Sequence, residues 1–284
     1  MSDVGVVRET SPFDAELRSL LEAIFVRYHS DFRQYASSSL RRRLAQALRP
    51  LGFDTLSALQ GAVVRDAALF ERLLRYLTVG VTEMYRDPEF FRVLRDDVVP
   101  ILRTYPSLKV WVAGCSTGEE VYGLAILLRE EGLLDRTIMY ASDINPEALR
   151  TAEAGLYDVG RMAQFSESYV AAGGRGSLAD HYTAAYGAAV FDRSLRERVV
   201  FADHSLATDS VFAEVHLITC RNVLIYFNAA LQDRAVGLFH GSLCERGFLG
   251  LGARETLRFS AHADRFVPFS ADARIYRRRW EVGS

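Results

Sequence analysis

The sequence is poor in cysteine and has no excess of charge, and both features narrow the kind of protein that it encodes. Its 284 residues include three cysteines, Cys115, Cys220 and Cys244, with no Cys-x-x-Cys spacing and no Cys/His cluster. An odd number of scattered cysteines argues against a disulfide framework and against a zinc site. The 34 basic and 36 acidic residues nearly balance. The overall charge therefore gives no reason to expect a nucleic-acid partner.

Long apolar runs are also missing. No run approaches the roughly 20 residues that a transmembrane helix needs, so no membrane insertion is expected. Residues 1–16 are polar and acidic, without the basic and apolar regions of a signal peptide. We therefore expect a soluble, cytoplasmic protein. At 49% hydrophobic residues, the chain is long enough for one large domain and one small domain.

Residues 109–129, KVWVAGCSTGEEVYGLAILLR, have the pattern of a strand, a turn and a helix. A short β-rich apolar run, 110–113, precedes the small-residue turn 114–118, and apolar residues then recur at helical spacing. Such a unit opens a doubly wound α/β sheet. Ligands of these sheets bind beyond the carboxyl ends of the strands, where the strand order reverses.

Two carboxylates, Glu119 and Glu120, begin the predicted helix, and the turn lacks a complete G-x-G-x-x-G motif. They would repel the pyrophosphate of a dinucleotide, which binds to bare N–H groups at a helix start. A ligand with positive charge and no phosphate, such as S-adenosylmethionine, suits them better. The alternative is that both carboxylates only complement the helix dipole.

A second predicted strand, 137–143, ends in Asp143, which lies 25 positions after Gly118. An acid at this place can accept hydrogen bonds from ribose hydroxyls, at an offset of about 20 residues from the glycine turn. Alternatively, Asp143 or Asn145 is the N-cap of a helix that starts at Pro146. The two roles can fall to different residues.

The segment 215–228, VHLITCRNVLIYFN, resembles a buried central strand that a polar triplet, 220–222, interrupts. An arginine in an apolar run is costly to bury unless it meets a charged or hydrogen-bonding partner. Arg221 therefore indicates a ligand or an ion pair. Farther on, Gly247–Leu251 and Arg274–Trp280 are predicted as the final strands, including an antiparallel edge.

The first 75 residues show helical periodicity and no strand-like runs. One helix is predicted after residues 37–39, which offer a serine N-cap, and before Gly52, which offers a stop. Its apolar stripe consists of Leu40, Leu44, Ala47, Leu48 and Leu51.

Arginines surround that stripe. Arg42 and Arg49 fall roughly opposite it, while Arg41 and Arg43 flank it, and the result is a predicted basic face. The alternative is an ordinary solvated surface.

Four segments in a fixed order carry a resemblance to a known family. VTEMYRDPEFF (81–91), WVAGCSTGEEVYGLAI (111–126), ASDINPEAL (141–149) and ITCRNVLIYFN (218–228) together resemble the CheR-type chemotaxis-receptor glutamate methyltransferases. The similarity extends over the chain from about Phe25 onward. The resemblance implies methyl transfer from S-adenosyl-L-methionine to glutamate side chains of chemoreceptors, giving methyl esters and S-adenosylhomocysteine. The implied partner is the cytoplasmic helices of a methyl-accepting chemoreceptor or of a related receptor.

The same resemblance implies a domain organisation. A doubly wound S-adenosylmethionine-dependent methyltransferase sheet follows a small all-α N-terminal domain and carries a small β-hairpin-like insertion. The predicted parts are a helical substrate-recognition domain at 1–75, a linker to the cofactor site at 76–90, and the methyltransferase domain at 91–284 with its insertion at about 160–197. In some family members this insertion grips the C-terminal tail of the receptor.

Site residues follow from the motifs by resemblance. The implied cofactor-binding residues are Gly80, Thr82, Arg86, Gly114, Glu120, Asp143, Ser205, Leu206, Arg221 and Asn222. The implied substrate-binding residues on the basic helix are Arg42, Arg43 and Arg49. Gly80 stands where some members have asparagine, and Ser205 stands where asparagine or aspartate is common. No metal is implied.

Two residues are predicted to act in catalysis. Arg221 would position the carboxylate of substrate or cofactor, and Tyr226 would pack beside the reacting methyl group and hydrogen-bond the glutamate. Alternatively, Tyr226 plugs the end of the strand. The fork of donors on Arg86 suits the carboxylate of the methionine moiety, or else Arg86 forms a helix-cap salt bridge with Asp87 or Glu89.

Two other function classes stay open at this point. A nicotinamide-dependent reductase could use the same kind of sheet, although the paired carboxylates at the helix start disfavour it. A catalytically weak S-adenosylmethionine-binding adaptor of a chemosensory-like pathway is the second alternative.

Overall fold

The computed structural model describes residues 11–78, 80 and 82–280. The chain divides after Thr78 into two compact units. Residues 80 and 82–90 of the predicted linker belong to the second unit. Residues 1–10, on which most of the signal-peptide prediction depends, lie outside the described residues.

The first unit is helical over its described length. Polar side chains at Ser11, Thr55 and Asp66 accept hydrogen bonds from first-turn N–H groups and so start three of its helices. Leucines and one isoleucine from the helices fill the centre of the unit. The helices are α1 (Pro12–Tyr28), α2 (Ser37–Leu51), α3 (Leu56–Val63) and α4 (Ala67–Leu77).

The boundaries of α2 correct one prediction and confirm another. Its N-cap is Ala36, which makes no side-chain hydrogen bond, so the predicted serine N-cap at 37–39 is wrong. These serines form the first turn of the helix instead. Gly52 ends the helix in the left-handed region, with φ of 86°, as the sequence predicts.

The second unit is an α/β domain. Its strands are β1 (Leu108–Ala113), β2 (Thr137–Asp143), β3 (Leu156–Asp158), β4 (Tyr182–Ala185), β5 (Ala188–Phe191), β6 (Val199–Asp203), β7 (Val215–Cys220), β8 (Leu243–Leu251), β9 (Phe266–Ser270) and β10 (Ile275–Arg278). Its helices are α5 (Pro88–Val93), α6 (Val99–Leu102), α7 (Glu119–Glu130), α8 (Pro146–Ala154), α9 (Met162–Ala171), α10 (Arg193–Arg196) and α11 (Ala229–Ser242). A π-helical turn, Leu94–Val98, joins α5 to α6.

Within the described residues, seven strands form one sheet in the order β6-β2-β1-β7-β8-β10-β9. In that order the first five strands, β6, β2, β1, β7 and β8, are parallel to one another. Strand β10 is antiparallel to both of its neighbours, β8 and β9. All residues but one are buried in each of β1 and β7, as is typical of central strands in a parallel sheet. The strand order reverses at β1, so the carboxyl ends of β1 and β7 are the expected place for a ligand.

The last strands differ from the prediction. The antiparallel strand β10 is not at the edge, because β9 pairs with its outer side. The pattern missed β9, FVPFS, which carries Pro268. Proline is tolerated there because β9 is an edge strand and needs fewer N–H donors.

A second, three-stranded sheet has the order β3-β5-β4 and is antiparallel. Tyr186 and Gly187, with φ of 52° and 78°, form the two-residue turn between β4 and β5. The predicted hairpin is therefore confirmed. The sheet begins at Leu156, earlier than the predicted start of the insertion near 160. Among the described helices, none is long and apolar enough to span a membrane.

Candidate cofactor site and active site

Two glycines shape the loop between β1 and α7. Gly114 has φ of 75°, and a Cβ there would lie 2.5 Å from Cγ2 of Val223 in the loop after β7. Gly118 has φ of 92°, and its Cβ would lie 2.7 Å from that of Ala152. Both positions require glycine on two counts, backbone conformation and space. The loop therefore packs directly against the end of β7, at the reversal of strand order.

Asp143, at the end of β2, closes this loop. Its Oδ2 accepts a hydrogen bond from the Ser116 N–H at 2.8 Å, and its Oδ1 accepts one from the Asn145 N–H at 2.9 Å. Burial raises the pKa of the Asp143 carboxyl. Asn145 is the N-cap of α8, accepting from the N–H groups of Glu147 and Ala148. Asn145 therefore takes the N-cap role, and ribose binding by Asp143 stays a prediction.

Ser116, at the tip of the loop, has φ of 49°. Its hydroxyl oxygen is buried and has no hydrogen-bond partner among the described residues. A buried hydroxyl without a partner is costly. Together with the carboxylate of Asp143, it fits a bound molecule that offers hydroxyl and amino groups.

The two carboxylates at the start of α7 have separate partners. Glu119 is 1% exposed, and its Oε1 lies 2.6 Å from Nη1 of Arg161. Its Oε2 accepts a hydrogen bond from the Thr117 hydroxyl at 2.7 Å. Oε2 of Glu120 lies 3.1 Å from Nη1 of Arg221. Each carboxylate therefore does more than complement the helix dipole.

The side chain of Arg221 is 1% exposed and is held on several sides. Besides the bond to Glu120, its Nη2 donates to the Arg86 carbonyl oxygen at 2.6 Å and to Oδ2 of Asp87 at 2.9 Å. The guanidinium lies 4.3 Å from the ring centroid of Phe90. The ion-pair alternative is therefore present, and it uses both terminal nitrogens of Arg221. A direct contact of Arg221 with a substrate or cofactor carboxylate stays a prediction.

The polar triplet 220–222 continues into the loop after β7, and the backbone of this loop donates hydrogen bonds to Glu255. Asn222 has φ of 61°, and its N–H donates to Oε2 of Glu255 at 3.0 Å. The Val223 N–H donates to Oε1 of the same side chain at 2.8 Å. Half-buried Tyr226 ends the short helical turn that follows. No sequence motif predicted a role for Glu255, and its only signal is that it follows the apolar run 247–251.

The predicted cofactor-binding residues before α5 also belong to the second unit. The Thr82 carbonyl oxygen accepts a hydrogen bond from Nη2 of Arg161 at 2.8 Å. Nε of Arg86 lies 3.6 Å from Oε2 of Glu83, so its ion pair is not with Asp87 or Glu89 as the alternative proposed. At Gly80, a Cβ would meet nothing within 4 Å. Cofactor contacts of Gly80, Thr82 and Arg86 stay predictions.

In the loop after β6, hydrogen bonds fix the two predicted cofactor-binding residues, Ser205 and Leu206. The Ser205 N–H donates to Oδ2 of Asp209 at 2.9 Å, and its hydroxyl accepts from the Ala207 N–H at 3.3 Å. The Leu206 carbonyl oxygen accepts from Nη1 of Arg234 at 3.2 Å. Cofactor binding by Ser205 and Leu206 stays a prediction.

In the first unit, the basic face of α2 is smaller than predicted. Arg41, Arg42 and Arg49 are exposed, and Arg41 forms an ion pair with Asp14. Arg43 is 8% exposed, and its Nη1 donates to the Leu77 carbonyl oxygen at 2.7 Å. The prediction that Arg43 lies on an exposed basic face is wrong, because its side chain is buried and donates to a carbonyl group at the C-terminus of α4. Substrate binding by Arg43 stays untested.

Comparison with known protein families decides the classification. Residues 80–274 match the model of the CheR methyltransferase, SAM binding domain, and residues 15–78 match that of the CheR methyltransferase, all-alpha domain. The chain belongs to the CheR methyltransferase family. It is therefore an S-adenosylmethionine-dependent methyltransferase, as the sequence predicts, and the reductase alternative falls.

Individual CheR relatives match over most of the chain. Cher3 of Pseudomonas putida is 58% identical over 93% of this chain and 97% of its own length. The chemotaxis protein methyltransferase 1 of Pseudomonas aeruginosa is 30% identical over 79% of this chain and 83% of its own. The chemotaxis protein methyltransferase of Salmonella typhimurium is 27% identical over 89% of this chain and 84% of its own.

Proposed function

We propose that this CheR-family enzyme acts in the cytoplasm and methylates glutamate side chains of methyl-accepting chemoreceptors, giving glutamate methyl esters and S-adenosylhomocysteine. The observation that carries the proposal is the match of both units to the two CheR domains, across relatives named chemotaxis protein methyltransferases. The geometry of the carboxyl edge of the sheet agrees with it.

The cofactor fits the residues at that edge. Support comes from Asp143, because a carboxylate can accept hydrogen bonds from ribose hydroxyls, and from neighbouring Ser116, because its buried hydroxyl has no partner among the described residues. Glu120, with a side chain that is 14% exposed, adds negative charge where a phosphate would be repelled. When bound, S-adenosylmethionine supplies a methyl group on a positively charged sulfur. We infer that Gly114, Glu120, Asp143 and Asn222 line its site.

Methylation of a carboxylate needs orientation and exclusion of water more than proton transfer. Tyr226 is half-buried at the end of the loop after β7, and we assign it the wall beside the reacting carboxylate. We infer that Arg221 acts on the site indirectly. Its ion pairs with Glu120 and Asp87 join the start of α7 to the loop before α5. These ion pairs support a role for Arg221 in positioning the site.

Receptor recognition falls to the helical unit in this proposal. Arg42 and Arg49 are exposed on α2. Exposed arginines attract acidic surfaces over distances near the Debye length, about 8–10 Å at physiological salt. We infer that they guide an acidic receptor helix to the enzyme.

Transfer of a radiolabelled methyl group tests the proposal. The purified enzyme is incubated with labelled cofactor and a chemoreceptor cytoplasmic fragment, and the matched control is a fragment with its candidate glutamates changed to glutamine. Label that is transferred to the first fragment and absent from the second supports receptor-glutamate methylation. Cofactor binding without any transfer favours the adaptor alternative instead.

A further inference from the structure

We propose that Glu255 is a positioning residue of the methyl-transfer site: its buried carboxylate holds the backbone of residues 222–225 so that Asn222 and Tyr226 keep their places. Glu255 is 3% exposed and lies in the loop after β8. Its effect on turnover rests on the function proposed above, whereas its effect on cofactor affinity does not.

Four backbone N–H groups converge on this carboxylate. Oε2 accepts from Gly252 at 2.6 Å and from Asn222 at 3.0 Å. Oε1 accepts from Val223 at 2.8 Å and from Ile225 at 3.4 Å. Three of the four donors belong to the loop after β7. The side chain therefore joins that loop to the end of β8.

A buried carboxylate is expensive unless hydrogen bonds replace its water. Burial raises the pKa of the Glu255 carboxyl, and the backbone hydrogen bonds oppose that rise. A neutral apolar residue would be the cheaper filling for the same volume. The buried carboxylate of Glu255 is therefore better explained by the hydrogen bonds that it accepts from the loop after β7. In that loop Asn222 is left-handed, so the N–H groups do not pair within a strand and need another acceptor.

The packing around the carboxylate leaves it little freedom. A Cβ at Gly252 would lie 2.8 Å from the Asn222 nitrogen and 2.8 Å from Oε2 of Glu255, so the close approach requires glycine. On the other side, Val223 packs against Gly114 of the cofactor loop. A shift of residues 222 and 223 would therefore move Asn222, a predicted cofactor-binding residue. It would also disturb the packing of Val223 against the loop between β1 and α7.

Variants of Glu255 test the proposal. Glu255→Gln keeps the volume but places an amide NH₂ group against N–H donors, and Gly252→Ala displaces the same contact without removing the carboxylate. The matched control is Glu245→Gln, an exposed glutamate on β8. Each variant is measured by thermal unfolding, by calorimetry with S-adenosylhomocysteine, and by methylation kinetics on a receptor fragment at saturating cofactor.

We expect both site variants to fold, to bind S-adenosylhomocysteine at least about threefold more weakly, and to lose about tenfold or more in kcat with little change in KM for the receptor. Val98→Ala, a buried core variant that makes none of the hydrogen bonds of Glu255, controls for stability and should keep kcat despite a lower Tm. A folded Glu255→Gln protein with wild-type affinity and kcat would overturn the proposal.

Amide hydrogen exchange of the wild-type protein covers the case in which the variants do not fold. The N–H groups of Asn222 and Val223 should be protected, and free exchange at both would overturn the proposal. Wild-type protein that binds S-adenosylhomocysteine but methylates no receptor contradicts the proposed function alone. In that event the change in cofactor affinity of Glu255→Gln still decides whether Glu255 positions the loop.

Discussion

Nη1 of Arg161 lies 2.6 Å from Oε1 of Glu119, and this ion pair joins the segment after β3 to the first turn of α7. A second link lies close by, because the Tyr157 hydroxyl donates to the Thr117 carbonyl oxygen at 2.7 Å. These two contacts join the small antiparallel sheet and the segment after β3 to the end of the loop between β1 and α7 and to the first turn of α7. We expect its integrity to affect cofactor binding.

Arg161→Ala should weaken S-adenosylhomocysteine binding and lower the free energy of unfolding. The Glu119 side chain is 1% exposed, whereas that of Arg161 is 38% exposed, so the loss is moderated by solvent and should be about 1–2 kcal/mol. Urea unfolding and calorimetry measure the two effects. Arg193→Ala, on an exposed position of α10, is the control and should stay within about 0.5 kcal/mol. Equal behaviour of the two variants would refute the link.

Asp143→Asn should weaken cofactor binding far more than it slows the chemical step. Its hydrogen bonds to ribose would be made in ground and transition states alike. The loss of a charge-assisted hydrogen bond is worth about 1.5–3 kcal/mol, or roughly tenfold or more in Kd. Calorimetry with S-adenosylhomocysteine measures it, with exposed Asp135→Asn as the control. An unchanged Kd would rule out the ribose assignment.

The raised pKa of Asp143 gives two opposite pH trends. Because folding raises this pKa above its ordinary value of 3.8, the stability that it contributes is present below that value and is lost as pH rises through the folded pKa. Cofactor affinity runs the other way, since the ionised carboxylate is the acceptor. We expect S-adenosylhomocysteine binding to weaken as pH falls through the folded pKa, and Asp143→Asn to flatten that dependence. A variant with the wild-type pH profile would contradict this.

Arg42→Ala and Arg49→Ala should raise the apparent KM for the receptor and leave the affinity for S-adenosylhomocysteine unchanged. The defect should shrink at high salt, because exposed charges act through screened attraction. Arg43→Ala is the informative comparison. It should instead cost about 1–3 kcal/mol of stability, because the Leu77 carbonyl loses a buried charged donor. Receptor kinetics that respond to none of the exposed arginines would make this face ordinary surface.

Arg221→Ala should lower stability and cofactor affinity together. Removal of the buried guanidinium leaves Glu120 and Asp87 without their partner, at a cost of about 3 kcal/mol. Tyr226→Phe should instead keep folding and cofactor binding and reduce turnover. Thermal unfolding and single-turnover methylation separate the two patterns. An Arg221→Ala protein of wild-type stability with lost turnover would restore a direct catalytic role for Arg221.

The sequence predicted those parts of the site that depend on local patterns. The strand, turn and helix around Gly114, the acid at the end of β2, and the hairpin of the small sheet all follow from neighbouring residues. The order of the central strands was not predicted, since no pattern within one strand specifies its neighbours.

Contacts between distant segments could not be predicted in this way. Arg43 lies on the edge of an amphipathic helix, and only the position of the end of α4 decides that it is buried. Arg221 required a partner, but the sequence left ligand and ion pair equally open. Glu255 binds backbone N–H groups about 30 residues away, and backbone groups leave no trace in side-chain patterns.

The most direct measurement is peptide mass spectrometry of a chemoreceptor cytoplasmic fragment after incubation with the enzyme and S-adenosylmethionine. The proposed function predicts methyl groups on glutamate side chains, lost on mild alkaline treatment as esters are, and absent when the same glutamates are changed to glutamine. Methylation confined to lysine, arginine or other nitrogen atoms, stable to alkali, would contradict it.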